Sequence, residues 1–449
     1  MIVPIVAKPS RTPCTSYSRP PWGSNTPSTR RGMPHVSARQ HGLCCILPGQ
    51  RSQEPTVRGT DAPSACAGTC CLDGVMTRIL IAPDKFKGSL SATEVAAAVR
   101  RGLATQCPGL EMHCLPVADG GDGTLDAAIA AGFERVDVLA TGPTGEPVRT
   151  AYGRRDDTAV VEMADVSGLV RLPRGELQAL TATSRGTGEL IAAALADGCR
   201  RIVLGIGGSA CTDGGAGMLQ ALGATIRDRH GNELAHGGGA LADLDTLDLA
   251  GLRATLADAE IVVACDVDNP LTGPHGAAAV YGPQKGATDR DVRFLDANLS
   301  RWADHVANAT GRDLRDVSGA GAAGGVGFAA LGVLGATLRP GIELVLELVD
   351  FDAHVQGADL VIVGEGSLDE QTLRGKAPAG VARAAVKAGA TVVAVCGRRT
   401  LDDEQLRGAG IKAAYALTDL EPDPAVSMAE AGRLLEVVSQ QIALDHLRT

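Results

Sequence analysis

The sequence predicts an α/β protein with largely parallel sheets, and three observations lead to this prediction. From Met76 onwards, short β-rich runs alternate with Ala-rich stretches of helical periodicity. Nearly every candidate strand runs directly into a Gly-rich or acidic loop, as in open α/β sheets that bind ligands beyond the carboxyl ends of their strands. At 449 residues the chain exceeds one ordinary core, so we expect two or three domains.

The candidate strands and helices follow each other along the chain. The strands are RILIAP, MHCLPVA, TAVVEMA, RIVLGIG, EIVVACD, DLVIVGEG and TVVAVCG. Between them, stretches such as SATEVAAAVRRGLA, GTLDAAIAAG and TGELIAAALADG place Ala and Leu at helical spacing, with Ser or Thr at plausible N-caps. The turn GPTGEPV, residues 142–148, is predicted to mark a crossing between two domains.

The first 75 residues differ from the rest in composition. They contain ten of the 23 prolines and six of the twelve cysteines, so we expect a disordered extension. Two explanations are open: an upstream start codon with Met76 as the true beginning, or a transit peptide, since the segment is rich in Arg and Ser and poor in acids. We favour the first.

Composition argues against several classes of partner. A net charge of −10 and 2% aromatic residues disfavour nucleic acid, which needs a basic face and stacking side chains. No apolar run reaches the roughly 18 residues that span a bilayer, so no membrane partner is expected. The cysteines of the body are scattered singly, as expected of a reduced cytoplasmic enzyme. A homo-oligomer is left open.

The loop PVADGGDGTLDAA joins a candidate strand to a candidate helix and carries two carboxylates. Asp119 and Asp122 suit a cation such as Mg²⁺, and backbone amides at the following helix N-terminus suit an anion. Phosphate and metal together indicate a nucleotide. A tight turn with Asp capping is the alternative for this motif by itself.

The loop GIGGSACTDGGAG, residues 205–217, contains a loose dinucleotide pattern after another strand. We do not interpret it as a dinucleotide site, because Asp213 would repel a pyrophosphate. We expect the amides of Gly207, Gly208 and Ser209 to hold an anionic group, with Asp213 aimed into the same cavity as a base or metal ligand. A structural glycine turn in which Asp213 has no role is the alternative.

Lysines are rare in this chain, and their positions are informative. Seven of the 42 basic residues are lysines, and four of the six in the body lie in loops flanked by Gly or Asp. These four are Lys85, Lys87, Lys285 and Lys376. A compact ammonium among small residues can follow a phosphate or carboxylate where a planar guanidinium would not fit.

The loops supply acids that suit a metal ion, together with lysines and amides that suit phosphate, and the sequence offers no candidate catalytic triad. This combination favours phosphoryl transfer. Two later loops add acids after strands: ACDVDNPLTGPHG contains Asp266, and GEGSLDEQTLRGKAP contains Glu365 and Asp369. The P-loop class is excluded, because TLRGKAP lacks the first Gly and the hydroxyl. Protein kinases are excluded because the HRD and DFG motifs are absent.

Taken together, eight ordered motifs resemble those of the type I glycerate kinases. In chain order they are IAPDKFKGSLSA, PVADGGDGT, TGPTGEPV, TSRGTGELI, GIGGSACTDGGAGMLQALGA, ACDVDNPLTGPHGAAAVYGPQKGA, GAGAAGGVG and GEGSLDEQTLRGKAP. The resemblance extends from Met76 to about Leu420.

The resemblance implies ATP- and Mg²⁺-dependent phosphorylation of D-glycerate to 2-phosphoglycerate, with 3-phosphorylation as the alternative. It also implies two α/β domains with the active site in the cleft: a Rossmann-like domain from residues 76–141 and 340–449, and an inserted α/β domain from residues 142–339. Two other classes are weighed against it. One is a nicotinamide-dependent oxidoreductase, which rests on GIGGSA alone, and the other is a non-catalytic sugar-acid sensor.

The site residues are hypotheses drawn from these motifs. We expect Asp213 to accept or orient the glycerate hydroxyl proton, Lys87 and Lys285 to neutralise phosphate or the substrate carboxylate, and Asp266 or Glu365 to help hold Mg²⁺. The candidate cofactor-binding residues are Asp84, Lys85, Gly88, Ser89, Asp119, Gly120, Gly121, Asp122, Gly123, Gly207, Gly208, Ser209, Gln284, Asp369 and Lys376.

Several positions depart from the family pattern. Lys85 stands where many members carry Ser, Asp122 replaces a Glu, Ser367 stands where Arg is frequent, and ACTDGG replaces ATNDGG. We hypothesise that Lys85 and Ser367 compensate each other, with a positive charge gained in one loop and lost in the other.

Overall fold

The computed structural model describes residues 71–72, 75–256 and 258–447. Residues 1–70, 73 and 74, which belong to the segment expected to be disordered, lie outside the described residues. Both explanations of that segment therefore stay predictions. The last part of the segment is described: Cys71–Leu72 (β1) pairs antiparallel with Val75–Met76 (β2).

The other described strands form two large sheets and one antiparallel pair, β9 with β10. The strands are β3 (Arg78–Pro83), β4 (Glu111–Cys114), β5 (Glu134–Thr141), β6 (Pro147–Arg155), β7 (Thr158–Glu162), β8 (Arg201–Gly205), β9 (Thr225–Asp228), β10 (Leu244–Asp248), β11 (Glu260–Ala264), β12 (Thr337–Arg339), β13 (Leu360–Leu368), β14 (Thr391–Arg399) and β15 (Ala413–Ala416).

The α-helices pack against these sheets. Of the predicted N-caps, Ser91 caps α1, whereas α2 begins after Gly123 and α4 after Ser184, each without a side-chain cap hydrogen bond. They are α1 (Ala92–Gln106), α2 (Thr124–Ala130), α3 (Ala164–Ser167), α4 (Arg185–Ala196), α5 (Ala216–Ala221), α6 (Ala250–Thr255), α7 (Ala277–Tyr281), α8 (Asp289–Thr310), α9 (Ala322–Gly332), α10 (Gly341–Leu348), α11 (Phe351–Val355), α12 (Glu370–Leu373), α13 (Ala377–Lys387), α14 (Asp403–Gly408), α15 (Pro424–Ala429) and α16 (Ala431–His446). Among the described helices, none is long and apolar enough to cross a membrane.

The five-stranded sheet is parallel throughout and is built from both ends of the body. Its strand order is β15-β14-β13-β3-β4, and β3 near the start of the body pairs directly with β13 near its end. A parallel sheet is buried on both faces, and β3 shows this. Ile79 and Ile81 pack towards α1 and α16, whereas Leu80 and Ala82 pack in the core that contains α13.

The six-stranded sheet comes from the middle of the chain and is mixed. Its order is β12-β11-β8-β7-β6-β5; β7, β8, β11 and β12 are parallel, whereas β5–β6 and β6–β7 are antiparallel. Short connections can join only antiparallel neighbours. The turn at residues 142–148 is such a connection, since Gly142 N donates to Glu146 O at 2.7 Å and Gly145 has a φ of 90°.

The predicted α/β class, with one sheet from both chain ends and a second sheet inserted, is confirmed. The turn predicted to cross between domains instead lies within the inserted sheet, as the hairpin between β5 and β6. The inserted sheet therefore begins at Glu134, ahead of residue 142. The domain boundaries themselves, 76–141 with 340–449 and 142–339, stay a prediction.

Candidate active site

A cleft runs between the carboxyl ends of the parallel strands of the two sheets, and it has two compartments. The larger cavity, of about 620 Å³, is lined mainly by the loops after β3 and β4, the last residues of β13 and β14, and side chains from residues 417–431. The smaller cavity, of about 250 Å³, is lined mainly by loops after β4, β8 and β11. The two share five lining residues: Asp119, Gly121, Leu169, Gly207 and Gly208.

The junction between the cavities depends on two glycine loops in close contact. A Cβ on Gly207 would lie 2.7 Å from the Cα of Gly121, and a Cβ on Gly120 would lie 2.6 Å from the Cβ of Ala264. Gly120 also has a φ of 85°, which side chains other than glycine rarely adopt. These glycines therefore bring the loop after β4 directly onto the ends of β8 and β11.

Two carboxyl groups that line the larger cavity, those of Asp84 and Glu365, have raised pKa values. Burial, and then the nearby Asp119, raises the pKa of Asp84 to about 8. Burial also raises the pKa of Glu365 to about 7, although a hydrogen bond from the Thr372 hydroxyl opposes this. Such a group of partly desolvated acids gains stability when a cation approaches.

Two lysines of the larger cavity already have acidic partners. Lys85 Nζ lies 2.5 Å from Oδ2 of Asp122 and also donates to the Asp122 carbonyl. Lys376 Nζ lies 3.7 Å from Oε2 of Glu365. Lys87 lines the same cavity and is exposed, and it forms no ion pair within the described part of the chain.

The smaller cavity has a buried ammonium in its wall. Lys285 is 2% exposed and donates to Ser209 Oγ at 2.9 Å and to Cys211 O at 2.6 Å. Burial lowers the pKa of Lys285, while the nearby Asp213 opposes that shift. An ammonium has three donors, so one is left for a ligand.

Asp266 lines the smaller cavity together with Lys285. Its Oδ1 accepts a hydrogen bond from Gly341 N at 2.8 Å, at the N-terminus of α10. Partial burial raises the pKa of Asp266 to about 6, and Asp119 adds to the shift. This carboxylate therefore takes up a proton more readily than an ordinary Asp.

Asp213 is buried and lines neither cavity. Its Oδ2 accepts hydrogen bonds from the amide and the hydroxyl of Ser184, both at 2.8 Å, and its Oδ1 accepts from Gly215 N at 3.1 Å. The geometry thus makes Asp213 an anchor for the loop before α5 and a counter-charge for Lys285. It does not place Asp213 in contact with the cleft.

The other predicted residues divide into two groups. Those that line a cavity are Ser89, Gly120, Gly121, Gly207, Gly208, Ser209 and Gln284. Those that line neither are Gly88, Gly123 and Asp369. Asp369 caps α12, where its side chain accepts from Gln371 N at 2.9 Å, and Gly123 precedes α2 with a φ of 98°.

Glu162 is a site residue that the sequence motifs missed. It lies at the end of β7, is 5% exposed, and its Oε2 accepts hydrogen bonds from Gly123 N at 3.1 Å and Leu125 N at 2.9 Å. Burial raises its pKa to about 7. Glu162 therefore fixes the loop after β4 from the inserted sheet. Its only signal in the sequence is an acid at the end of an apolar strand.

The described residues contain no cluster of three or more His, Cys, Asp or Glu side chains arranged to hold a metal ion. This arrangement still suits Mg²⁺, which proteins usually bind through one or two carboxylates together with substrate phosphates. Asp84, Asp119 and Glu365 provide the oxygen donors in the larger cavity.

The site combines lysines and glycine amides that can bind anions with acids that can bind a cation, and its small cavity is joined to a large one. These features define a phosphotransferase-type site on an α/β fold. A family model described as the glycerate kinase family matches residues 79–446. The chain belongs to the glycerate kinase family.

Individual relatives agree with the family match. The chain is 50% identical over 343 residues to a glycerate kinase of Bacillus subtilis (strain 168), and 47% identical over 344 residues to the glycerate 2-kinase of Escherichia coli (strain K12). Each match covers 76% of this chain and 90% of the relative. A crystal structure from Salmonella typhimurium LT2, of a protein provisionally named glycerate kinase 2, matches with a TM-score of 0.71 and 42% identity. That match covers 83% of this chain and 98% of the other.

The resemblance inferred from the eight motifs is confirmed, and so is the prediction of an enzyme with glycerate kinase activity. Membership in a kinase family implies the use of ATP. The oxidoreductase and sensor alternatives are thereby set aside. The individual roles of the site residues stay predictions.

Proposed function

We propose that this enzyme transfers the γ-phosphoryl group of ATP to the 2-hydroxyl of D-glycerate, with Mg²⁺, and forms 2-phosphoglycerate and ADP. The name of the Escherichia coli relative, glycerate 2-kinase, supports the 2-position. The alternative is 3-phosphorylation, which requires glycerate to shift by about one C–C bond in its cavity.

The observation that carries this proposal is the pair of unequal cavities that meet at Asp119, Gly121, Gly207 and Gly208. A nucleotide fits the larger cavity and a three-carbon acid fits the smaller one. Phosphoryl transfer requires the two substrates to approach in line. The glycine amides at the junction provide donors where phosphate oxygens would meet the acceptor hydroxyl.

The buried ammonium of Lys285 is the group best placed to bind the carboxylate of glycerate. It is held by Ser209 and Cys211, so its position costs little further ordering when a substrate binds. Desolvation strengthens its attraction to an anion. Lys87, in the larger cavity, is the corresponding candidate for a phosphate.

Bound Mg²⁺ would neutralise phosphate charge during transfer. One or two of Asp84, Asp119 and Glu365 would hold it, because these three residues line the larger cavity. The raised pKa values of Asp84 and Glu365 support a cation there, since a cation favours the ionised forms. Asp266 lines the smaller cavity and not the larger one, which favours a role for it other than binding Mg²⁺.

We place proton acceptance from the glycerate hydroxyl at Asp266. It lines the cavity proposed for glycerate, and its pKa of about 6 is close to neutral, as a general base requires. Asp213, the other candidate, would have to act from beneath the cavity wall. Under this proposal Asp213 is a positioning residue that acts through Lys285 and through the loop before α5.

The test of the function is ³¹P NMR of the product that the full chain forms from D-glycerate, ATP and Mg²⁺. A 2-phosphoglycerate resonance would support both the class and the position. A 3-phosphoglycerate resonance would retain the class and refute the position. Absence of any phosphorylated glycerate from folded protein would refute the proposal.

We also propose a cytoplasmic location. The six cysteines between Cys107 and Cys396 are all free thiols, which suits a reducing compartment. Fluorescence microscopy of the tagged full chain in its own cells would test this, and an organellar or extracellular signal would contradict it.

A further inference from the structure

Two residues on neighbouring strands meet at the wall of the larger cavity. Ser367 on β13 and Arg398 on β14 are direct partners in the parallel register. Arg398 Nε donates to Ser367 Oγ at 3.1 Å, and both residues line the cavity. The Ser367 hydroxyl in turn donates to Asp369 Oδ2 at 3.1 Å. The guanidinium is thus held through Nε, and its two terminal nitrogens have no hydrogen-bond partner among the described residues.

Like Lys87, and unlike Lys85 and Lys376, Arg398 lines the larger cavity without an acidic partner among the described residues. Lys85 pairs with Asp122 and Lys376 lies near Glu365, whereas the described residues place no carboxylate within 4 Å of Arg398. The adjacent Arg399 provides a contrast. Its Nη1 lies 2.8 Å from Oδ1 of Asp403, and it does not line the cavity.

The contacts of Lys85 and Ser367 differ from the expectation that these two residues compensate each other. Lys85 was expected to compensate for Ser367, but its charge is neutralised by Asp122 on the loop after β4. Ser367, at a position where Arg is frequent, is instead in contact with Arg398. Parallel strands are about 4.8 Å apart, which is less than the reach of an Arg side chain. A guanidinium from either strand can therefore reach the same part of the cavity.

We propose that Arg398 binds the phosphate groups of the nucleotide and supplies from β14 the positive charge that Ser367 on β13 does not. This inference rests on the proposed function. A planar guanidinium with two free nitrogens binds phosphate oxygens in a bidentate manner. The hydroxyl of Ser367 acts as a positioning group for that guanidinium.

The experiment compares four variants of the full chain: Arg398→Ser, Ser367→Arg, the exchange Ser367→Arg with Arg398→Ser, and the control Arg399→Ser. Isothermal titration calorimetry measures the affinities for ATP, ADP and adenosine. We expect Arg398→Ser to weaken ATP and ADP binding by about tenfold, the loss of one hydrogen bond to a charged group, and to leave adenosine binding unchanged. The exchange variant should recover ATP affinity to within about threefold of the wild type, and Arg399→Ser should match the wild type.

Three results would overturn the inference. They are wild-type ATP affinity in Arg398→Ser, an equal loss for adenosine and ATP, and an exchange variant no better than Arg398→Ser. If Arg398→Ser fails to fold, the proposal can still be refuted, because the exchange variant and Ser367→Arg are measured in the same series. A wild type that binds ATP but forms no phosphoglycerate would refute the proposed function, while the role of Arg398 would still be decided by binding.

Discussion

Lys85 and Asp122 form an ion pair between two loops of the five-stranded sheet, and both residues line the larger cavity. Lys85 follows β3, Asp122 follows β4, and their charged atoms lie 2.5 Å apart. Both are positions that the motif comparison predicts to depart from the family pattern, and the structure shows that they contact each other.

A double-mutant cycle with Lys85→Ser and Asp122→Asn measures this pair. Because the side chains are 21% and 46% exposed, we expect a coupling in the free energy of unfolding of about 1 kcal/mol or less. Urea unfolding of the four proteins gives the coupling. A coupling above about 2 kcal/mol would mean that the pair is far more shielded from water than its exposure indicates.

Replacement of Glu162 by Ala should destabilise the protein by about 1–3 kcal/mol. The amides of Gly123 and Leu125 would lose their acceptor at the N-terminus of α2. Glu162→Gln is the matched control, because its carbonyl oxygen can still accept from both amides. Urea unfolding at pH 7 should give similar free energies of unfolding for the wild type and Glu162→Gln, and a clearly lower value for Glu162→Ala. Equal losses for Gln and Ala would indicate that the charge, not the hydrogen bonds, matters.

Asp84 should make the unliganded enzyme less stable as the pH rises. Its pKa in the folded protein is about 8, above the usual value of about 4, so the folded state holds its proton over that interval while the unfolded state releases it. Its contribution is complete below about pH 4 and is lost as the pH rises through about 8. The free energy of unfolding of Asp84→Asn, relative to that of the wild type, should therefore rise by at most about 1.4 kcal/mol per pH unit. This difference should level off above about pH 8.

Unfolding curves of wild type and Asp84→Asn, measured from pH 5 to 9 without ligand, test this slope. The Asn side chain keeps the acceptor for Lys85 N that Asp84 Oδ1 provides at 2.6 Å, so the comparison isolates ionisation. MgADP should raise the wild-type melting temperature more at pH 8 than at pH 5. A difference between the two proteins that stays flat with pH would contradict the raised pKa.

Lys285→Met should separate stability from activity. We expect kcat/KM for glycerate to fall by about 100-fold or more, because a desolvated charge pair with the carboxylate is lost. The free energy of unfolding should change by less than about 2 kcal/mol, since the cost of burying the ammonium offsets its two hydrogen bonds. Lys387→Met, at an exposed position on α13, is the control and should match the wild type in both measurements.

Asp213→Asn and Asp266→Asn distinguish the two candidate proton acceptors. We expect Asp266→Asn to lower kcat by at least about 100-fold with little effect on stability. Asp213→Asn should lower the free energy of unfolding by about 2–4 kcal/mol, because an amide nitrogen would face the donors of Ser184 or Gly215. A stable Asp213→Asn protein with a very low kcat, beside a nearly normal Asp266→Asn, would reverse the assignment.

The sequence predicted the parallel sheets well because buried strands that end in glycine and acidic loops leave a strong local pattern. Six of the seven candidate strands correspond closely to β3, β7, β8, β11, β13 and β14, and their loops form the cleft. The antiparallel strands β5 and β6 were missed, because polar and charged residues interrupt their apolar ones and only part of each strand is buried. The register that places β3 beside β13 is a long-range property that no local pattern contains.

Within the site, sequence patterns identified charged residues but could not tell which of them face a cavity. Asp213 and Lys285 both lie in glycine-rich loops, yet the acid is enclosed by Ser184 and the amine keeps one free donor. Glu162 contacts the loop and helix that follow β4, and Arg398 contacts Ser367 on β13, so their neighbours in sequence do not reveal them. Burial and pairing, which decide these roles, arise only when the two sheets come together.

The pairing of β3 with β13 has a consequence for how the protein acquires its shape during synthesis. Arg78 N donates to Asp359 Oδ2 across 281 positions of the chain, so β3 cannot be completed until the ribosome has delivered almost the whole polypeptide. The inserted sheet, by contrast, can form earlier from consecutive segments. Contacts of such separation slow folding and leave apolar strands uncovered while they wait. We therefore expect nascent chains that end before residue 360 to hold a folded middle and a chaperone-dependent β3 that can pair with β4 on one edge only.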